Sequence, residues 1–156
     1  MTTATSTQQH TARMDFSDVA PAVHQAMITL DAAAHKNLDP VIAELVKIRA
    51  SQLNHCAFCL DMHTTEARAQ GETEQRVTLL AAWREAGPLY TEKERAALAL
   101  TEAVTVLTDG FVPDEVYARA AEHFDETELA HLIAAILTIN AWNRIAVTTR
   151  KQLPQR

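Results

Sequence analysis

Apolar residues recur every three or four positions along most of this chain, and the periodic stretches are interrupted at prolines, glycines and capping residues. Over residues 18–36, Val19, Ala22, Val23, Ala26, Met27 and Leu30 have helical spacing, with Pro21 tolerable only near the start. Asn37-Leu38 breaks that pattern. Asp39 before Pro40 reads as an N-cap with proline at the first helical position, opening a helix with Val41, Ile42, Leu45, Val46 and Ile48 that runs to about Leu53. Asn54 or His55 is the expected corner, and a third helix begins at Cys56 and closes at Gly71. Residues 73–86 repeat the pattern with Val77, Leu80 and Ala81 before Gly87-Pro88. Thr91 and Glu94 have capping-box form and open a helix through Thr108, closed by Asp109-Gly110. Pro113 starts a short helix to about His123, and Asp125 caps the longest apolar stretch, residues 129–147. There Leu132, Ile133, Ile136, Leu137, Ile139, Trp142 and Ile145 cover nearly the whole circumference, so this helix has to be covered on all sides, in the bundle centre or between subunits. The pattern holds no strand alternation, repeat or linker. It predicts an all-α, single-domain helical bundle over residues 15–156, preceded by a flexible tail over residues 1–14.

Composition narrows the function classes. The 156 residues suit one domain, and a hydrophobic share of 47% supplies a full core. A net charge of −6 without a basic cluster excludes electrostatic capture of nucleic acid or an anionic membrane surface. No secretory leader is read at the N-terminus, and no stretch is read as the ~20 apolar residues of a membrane span. The expected location is the cytoplasm, where a close cysteine pair is reactive or metal-binding rather than a structural staple.

That pair is the one constellation carrying chemistry: Cys56, Cys59 and His63 in the segment Asn54-His-Cys-Ala-Phe-Cys-Leu-Asp-Met-His63. At 100° per residue the three side chains fall within an arc of roughly 60° on one helix face. Cysteines at i and i+3 can close a disulfide, and an imidazole one turn beyond Cys59 can take a thiol proton or stabilise the thiolate. If the two helices fold back on each other at Asn54-His55, Glu44 and His63 lie at similar distances from the corner, roughly 12–14 Å, and face each other. Glu44 is then a candidate to orient His63. The helix N-terminus favours thiolate at Cys56, by typically ~0.3–1 kcal/mol; a base placed beside Cys59 outweighs it.

The order Glu44, eleven residues, Cys56-x-x-Cys59-x-x-x-His63 resembles the signature of the AhpD-like alkylhydroperoxidases of the carboxymuconolactone decarboxylase superfamily. Asp61-Met-His-Thr64, Ala67-Arg-Ala-Gln-Gly-Glu72 and Ile139-Asn-Ala-Trp-Asn-Arg144 extend the resemblance over about residues 39–150. It implies an all-helical fold in homotrimers or homohexamers and a peroxidase that works without haem, metal or other cofactor. Cys59 is implied as the peroxidatic thiol, Cys56 as the resolving one, and Glu44 with His63 as the proton relay. An external dithiol, lipoyl or thioredoxin-like, is the implied reductant. Phe58 stands where the best-known members carry a second histidine between the cysteines.

Other readings of the same residues stay open. A redox sensor needs only the dithiol. A zinc-bound structural module draws three ligands from Cys56, Cys59 and His63 and a fourth from Glu44 or His55. A lactone decarboxylase of the same superfamily has no need of a redox pair. Asn140, Asn143 and Arg144 read as buried hydrogen bonding or subunit register, and residues 92–95 as a solvated helix face.

Overall fold

The structure, a computed structural model, describes residues 11–155, and every described regular element is helical. Residues 1–10, most of the expected flexible tail, lie outside the described residues. Within the remainder of that segment, Arg13 donates its backbone N–H to Thr149 O at 2.9 Å and its Nη1 to Thr148 O at 3.0 Å.

The helices are α1 (Phe16–Val19), α2 (Pro21–His35), α3 (Pro40–Leu53), α4 (Ala57–Ala69), α5 (Glu74–Leu79), α6 (Glu92–Thr105), α7 (Asp114–His123) and α8 (Glu126–Thr149). Asp39 caps α3 by accepting from the Val41 and Ile42 amides, and capping boxes open α6 (Thr91, Glu94) and α8 (Asp125, Glu128).

Where element boundaries differ from the sequence pattern, the cause is local. Pro21 has no N–H to continue the preceding helix, so α2 begins anew there and α1 stays one turn long. Residues 73–86 do not form one helix: α5 ends at Leu79, and a 3-10 turn, Leu80–Ala82, follows. Trp83 is buried beyond it and donates Nε1–H to Glu102 at 2.7 Å, while Arg95 donates to the carbonyls of Trp83 and Gly87. Tertiary partners thus add to the short-range turn bonds that replace the helical ladder here.

Two apolar clusters hold the bundle. Ile42 and Val46 of α3, Leu100 of α6, Ala120 of α7 and Leu132, Ala135 and Ile136 of α8 form the first. Leu45, Ile48, Val77, Leu80, Trp83, Tyr90 and Leu98 form the second. Each buried leucine or isoleucine contributes ~1.5–3 kcal/mol relative to exposure.

The apolar stripe over residues 18–36 is largely uncovered by this chain: Val19, Val23 and Leu30 are exposed, while Met27 is half-buried and Ala34 buried. Within one chain α8 is covered on part of its circumference only: Leu137 and Val147 are exposed, the face for which burial between subunits is the remaining expectation. Residues 92–95 are not purely a solvated face, because Glu94 is buried and paired with Arg76 at 2.6 Å. The α8 segment, 24 residues long with an 18-residue window of mean hydropathy 1.2, is the one described helix long and apolar enough to cross a membrane. Asn140, Asn143 and Arg144 interrupt it, and here its buried residues form the core of the bundle.

Candidate active site

The corner between α3 and α4 sets the site. His55 adopts a left-handed backbone, φ 54°, and turns the chain so that α4 folds back along α3. Asn54 Nδ2 donates to Asn140 Oδ1 and Asn143 Oδ1, both at 2.9 Å, and Asn143 Nδ2 donates to Ser51 Oγ at 3.0 Å. Asn143 is fully buried, so this amide network fixes the corner to the middle of α8. Buried hydrogen bonding, one of the two roles read from the sequence, is what these asparagines do.

Cys56 is the N-cap of α4, and its Sγ accepts from the Cys59 amide at 3.4 Å. The two cysteines form a disulfide across a Cα–Cα separation of 5.4 Å, as the i, i+3 spacing allows. Both are buried and pack with Ala146 of α8 and with Phe58. Cys59, but not Cys56, lines a cavity of about 630 Å³. Phe58, Met62, His63, Ile139 and Trp142 share that wall, and residues 12 and 14–17 close one side of the cavity. Lys151 lies over the Phe58 ring at 5.0 Å from its centroid.

His63 is buried, and its Nδ1 meets two carboxylates, Glu66 Oε2 at 3.0 Å and Glu44 Oε2 at 3.3 Å. Carboxylates only accept, so the Nδ1 atom carries a proton, and in the neutral ring Nε2 then holds the free lone pair. The bond in line is to Glu66; Glu44 Oε2 lies off line, close enough for charge but without a hydrogen bond of its own. Glu44 Oε1 takes Lys47 Nζ at 2.9 Å. Burial opposes the charge on Glu44, but the approach of His63 and Lys47 outweighs it and holds the carboxyl below its ordinary value.

The fold therefore brings Cys56, Cys59, His63 and Glu44 together on α3 and α4, with Cys59 and His63 opening on one cavity and Glu44 behind His63. His55 stays at the exposed corner, outside the cavity wall. Glu66, Lys47, Asn54 and the cavity wall were not singled out in this role from the sequence; Glu66 was within reach, being one turn from His63 on the same helix. Glu44, His63 and Glu66 offer ligand atoms within 4.8 Å of one another, the described group that could hold a metal ion. In the disulfide form neither cysteine is available as a thiolate ligand.

A helical bundle with a redox-capable Cys-x-x-Cys at a helix start, backed by histidine and carboxylate, defines a class, and comparison with known proteins agrees. Residues 21–103 match the carboxymuconolactone decarboxylase family. The chain belongs to that family and to its AhpD-like group. It is 43% identical over 136 residues to the uncharacterized protein YdfG of Bacillus subtilis, covering 86% of this chain and 92% of that one. A crystal structure from Agrobacterium tumefaciens, of a protein of unknown function described as a candidate antioxidant defence protein AhpD, superposes with TM-score 0.90 at 38% identity, covering 94% of this chain and all of that one. A peroxidase-related protein from Ralstonia eutropha with an alkylhydroperoxidase AhpD core shares the fold alone, at TM-score 0.77 and 17% identity over 89% of this chain and 74% of that one.

Proposed function

We propose that this protein is a thiol-dependent peroxidase of the alkylhydroperoxide reductase type, acting through Cys59 and Cys56. The observation that carries this reading is the position of Cys59: it opens on the cavity beside a histidine whose Nδ1 is held by carboxylates, with Cys56 at bonding distance behind it.

In the reduced protein His63 Nε2 takes the Cys59 proton. The thiolate attacks the terminal peroxide oxygen, so an S–O bond forms and the O–O bond breaks. The leaving alkoxide takes the proton back from His63 and departs as alcohol. Cys56 sulfur then displaces hydroxide from the Cys59 sulfenic acid, its own proton completing a water. Two thiols and ROOH become disulfide, ROH and water. An external dithiol, lipoyl or thioredoxin-like, attacks Cys59, the sulfur that faces the cavity, and restores the pair. His63 and Glu44 form the proton relay, and the chemistry calls for no metal or other cofactor.

The reading includes a cytoplasmic location, which keeps the pair reducible, and assembly as a homotrimer or homohexamer. Exposed Val23, Leu30, Leu137 and Val147 on α2 and α8 support a covered face. Neither nucleic acid nor membrane is a partner in it.

The test is peroxide consumption with a panel of small dithiols and lipoyl or thioredoxin-type donors. Cys59→Ser abolishes turnover; Cys56→Ser leaves a Cys59 sulfenic acid or mixed disulfide. Equal, mild effects of both changes overturn the reading.

A further inference from the structure

We propose that Glu66 is the positioning residue for His63, supplying the charge that balances the imidazolium when Cys59 gives up its proton. The inference rests on the peroxidase reading and adds a residue that the signature of Glu44, two cysteines and His63 does not contain.

The geometry separates the two carboxylates. His63 has one Nδ1 proton, and the acceptor in line with it is Glu66 Oε2 at 3.0 Å; Glu44 Oε2, at 3.3 Å, forms no hydrogen bond. One N–H serves one acceptor well.

The charge count separates them as well. The Glu44 carboxylate already has a counter-ion in Lys47, at 2.9 Å and itself largely buried. Glu44 and Lys47 together are neutral, which leaves Glu66 as the carboxylate whose charge a protonated His63 can match. The other charged or titratable groups lining the cavity are Asp15, His24, Asp31 and Lys151, and none of them is paired with His63.

Placement completes the argument. Cys59, His63 and Glu66 stand on successive turns of one helix, so acid, base and orienting group move as a rigid set, whereas Glu44 depends on the packing of α3 against α4. The Glu66 side chain is 48% exposed and lines the cavity. Solvent therefore screens its charge, which sets its effect at the lower end of what a charge-assisted hydrogen bond supplies.

The experiment uses full-length protein carrying Cys56→Ser, so that Cys59 is the single thiol, with Glu66→Gln or Glu66→Asp added. The pH dependence of Cys59 alkylation is measured, together with thermal melting; peroxide turnover is measured with Cys56 intact. Glu66→Gln keeps the shape and removes the charge. It moves the alkylation midpoint to higher pH and lowers the peroxide rate constant about tenfold, while Glu66→Asp recovers part of both and melting stays put. An alkylation profile unchanged by Glu66→Gln overturns the proposal, as does an equal loss in both variants that tracks a lower melting temperature. A wild-type protein that consumes no peroxide with any donor defeats the peroxidase reading instead, and the alkylation profile still decides the role of Glu66.

Discussion

Asn54 Nδ2 donates to Asn143 Oδ1 at 2.9 Å, joining the corner before the cysteines to the middle of the longest helix. Asn143 passes the connection on to Ser51, and Asn54 also bonds Asn140. Asn143→Ala removes a fully buried member of the network and leaves Asn54 and the equally buried Ser51 with unmet hydrogen-bonding groups. The expected loss is ~1–3 kcal/mol of stability, read as a lower denaturant midpoint at unchanged slope.

Oxidation by mild peroxide has a mass signature. Reduced wild-type protein loses the mass of two hydrogen atoms as the disulfide closes, their electrons passing to the peroxide and no oxygen being retained, because Cys56 lies at bonding distance from Cys59. Intact-mass measurement on the Cys56→Ser variant shows added oxygen or an adduct instead. Free thiols persisting in peroxide-treated wild type refute the mechanism.

The left-handed backbone of His55, φ 54°, is a position where glycine carries no Cβ penalty and a β-branched residue does. His55→Gly relieves the Cβ penalty that His55 itself bears and melts at or near the wild-type temperature, whereas His55→Val adds the strain of a β-branched side chain and melts lower. Because His55 is exposed at the corner, His55→Gly also retains peroxide turnover.

Acid stability is tied to Glu44. Its carboxyl has an ordinary value of 4.5 and lies lower in the folded protein, despite burial, because His63 and Lys47 favour its charge. The stabilisation is complete above the ordinary value and fades as pH falls below it through the depressed folded value. Glu44→Gln flattens the stability profile in that acidic window and lowers stability at neutral pH, where Lys47 loses its counter-ion. A profile identical to wild type across the acid range contradicts the assignment.

Assembly is testable on the exposed apolar residues. Val23 and Leu137 are 53% and 60% exposed. A Val23→Asp, Leu137→Asp double variant sediments as a smaller species than wild type while keeping its helical circular dichroism. Wild type that sediments as a monomer at all concentrations removes the proposed assembly.

Much of this architecture was legible from spacing. The capping residues Asp39, Thr91 and Asp125 mark true helix starts, and the rise per residue from a shared corner sufficed to set Glu44 opposite His63. Facing was harder to read. The apolar stripe of α2 has helical spacing whichever way the helix turns, and nothing local says that Val23 and Leu30 are left uncovered by this chain. Glu94 looked like a surface charge because its partner, Arg76, lies eighteen positions away across a turn. Glu66 was missed because an acid one turn from a histidine is common on exposed helices, and only the packing of α3 beside α4 makes His63 a buried base with two carboxylates to choose between.

The chain by itself determined that this is a bundle of helices with two sulfurs and an imidazole on one face, since helical period and the i, i+3, i+4 spacings are local properties. Only the tertiary structure decided that Cys59 rather than Cys56 opens on a cavity, that Trp142 and residues near the N-terminus wall it, and that Glu66 takes the in-line bond to His63. Those relations depend on how helices remote in sequence cross and pack, and a periodicity of 3.6 residues carries no information about which neighbour a face will meet.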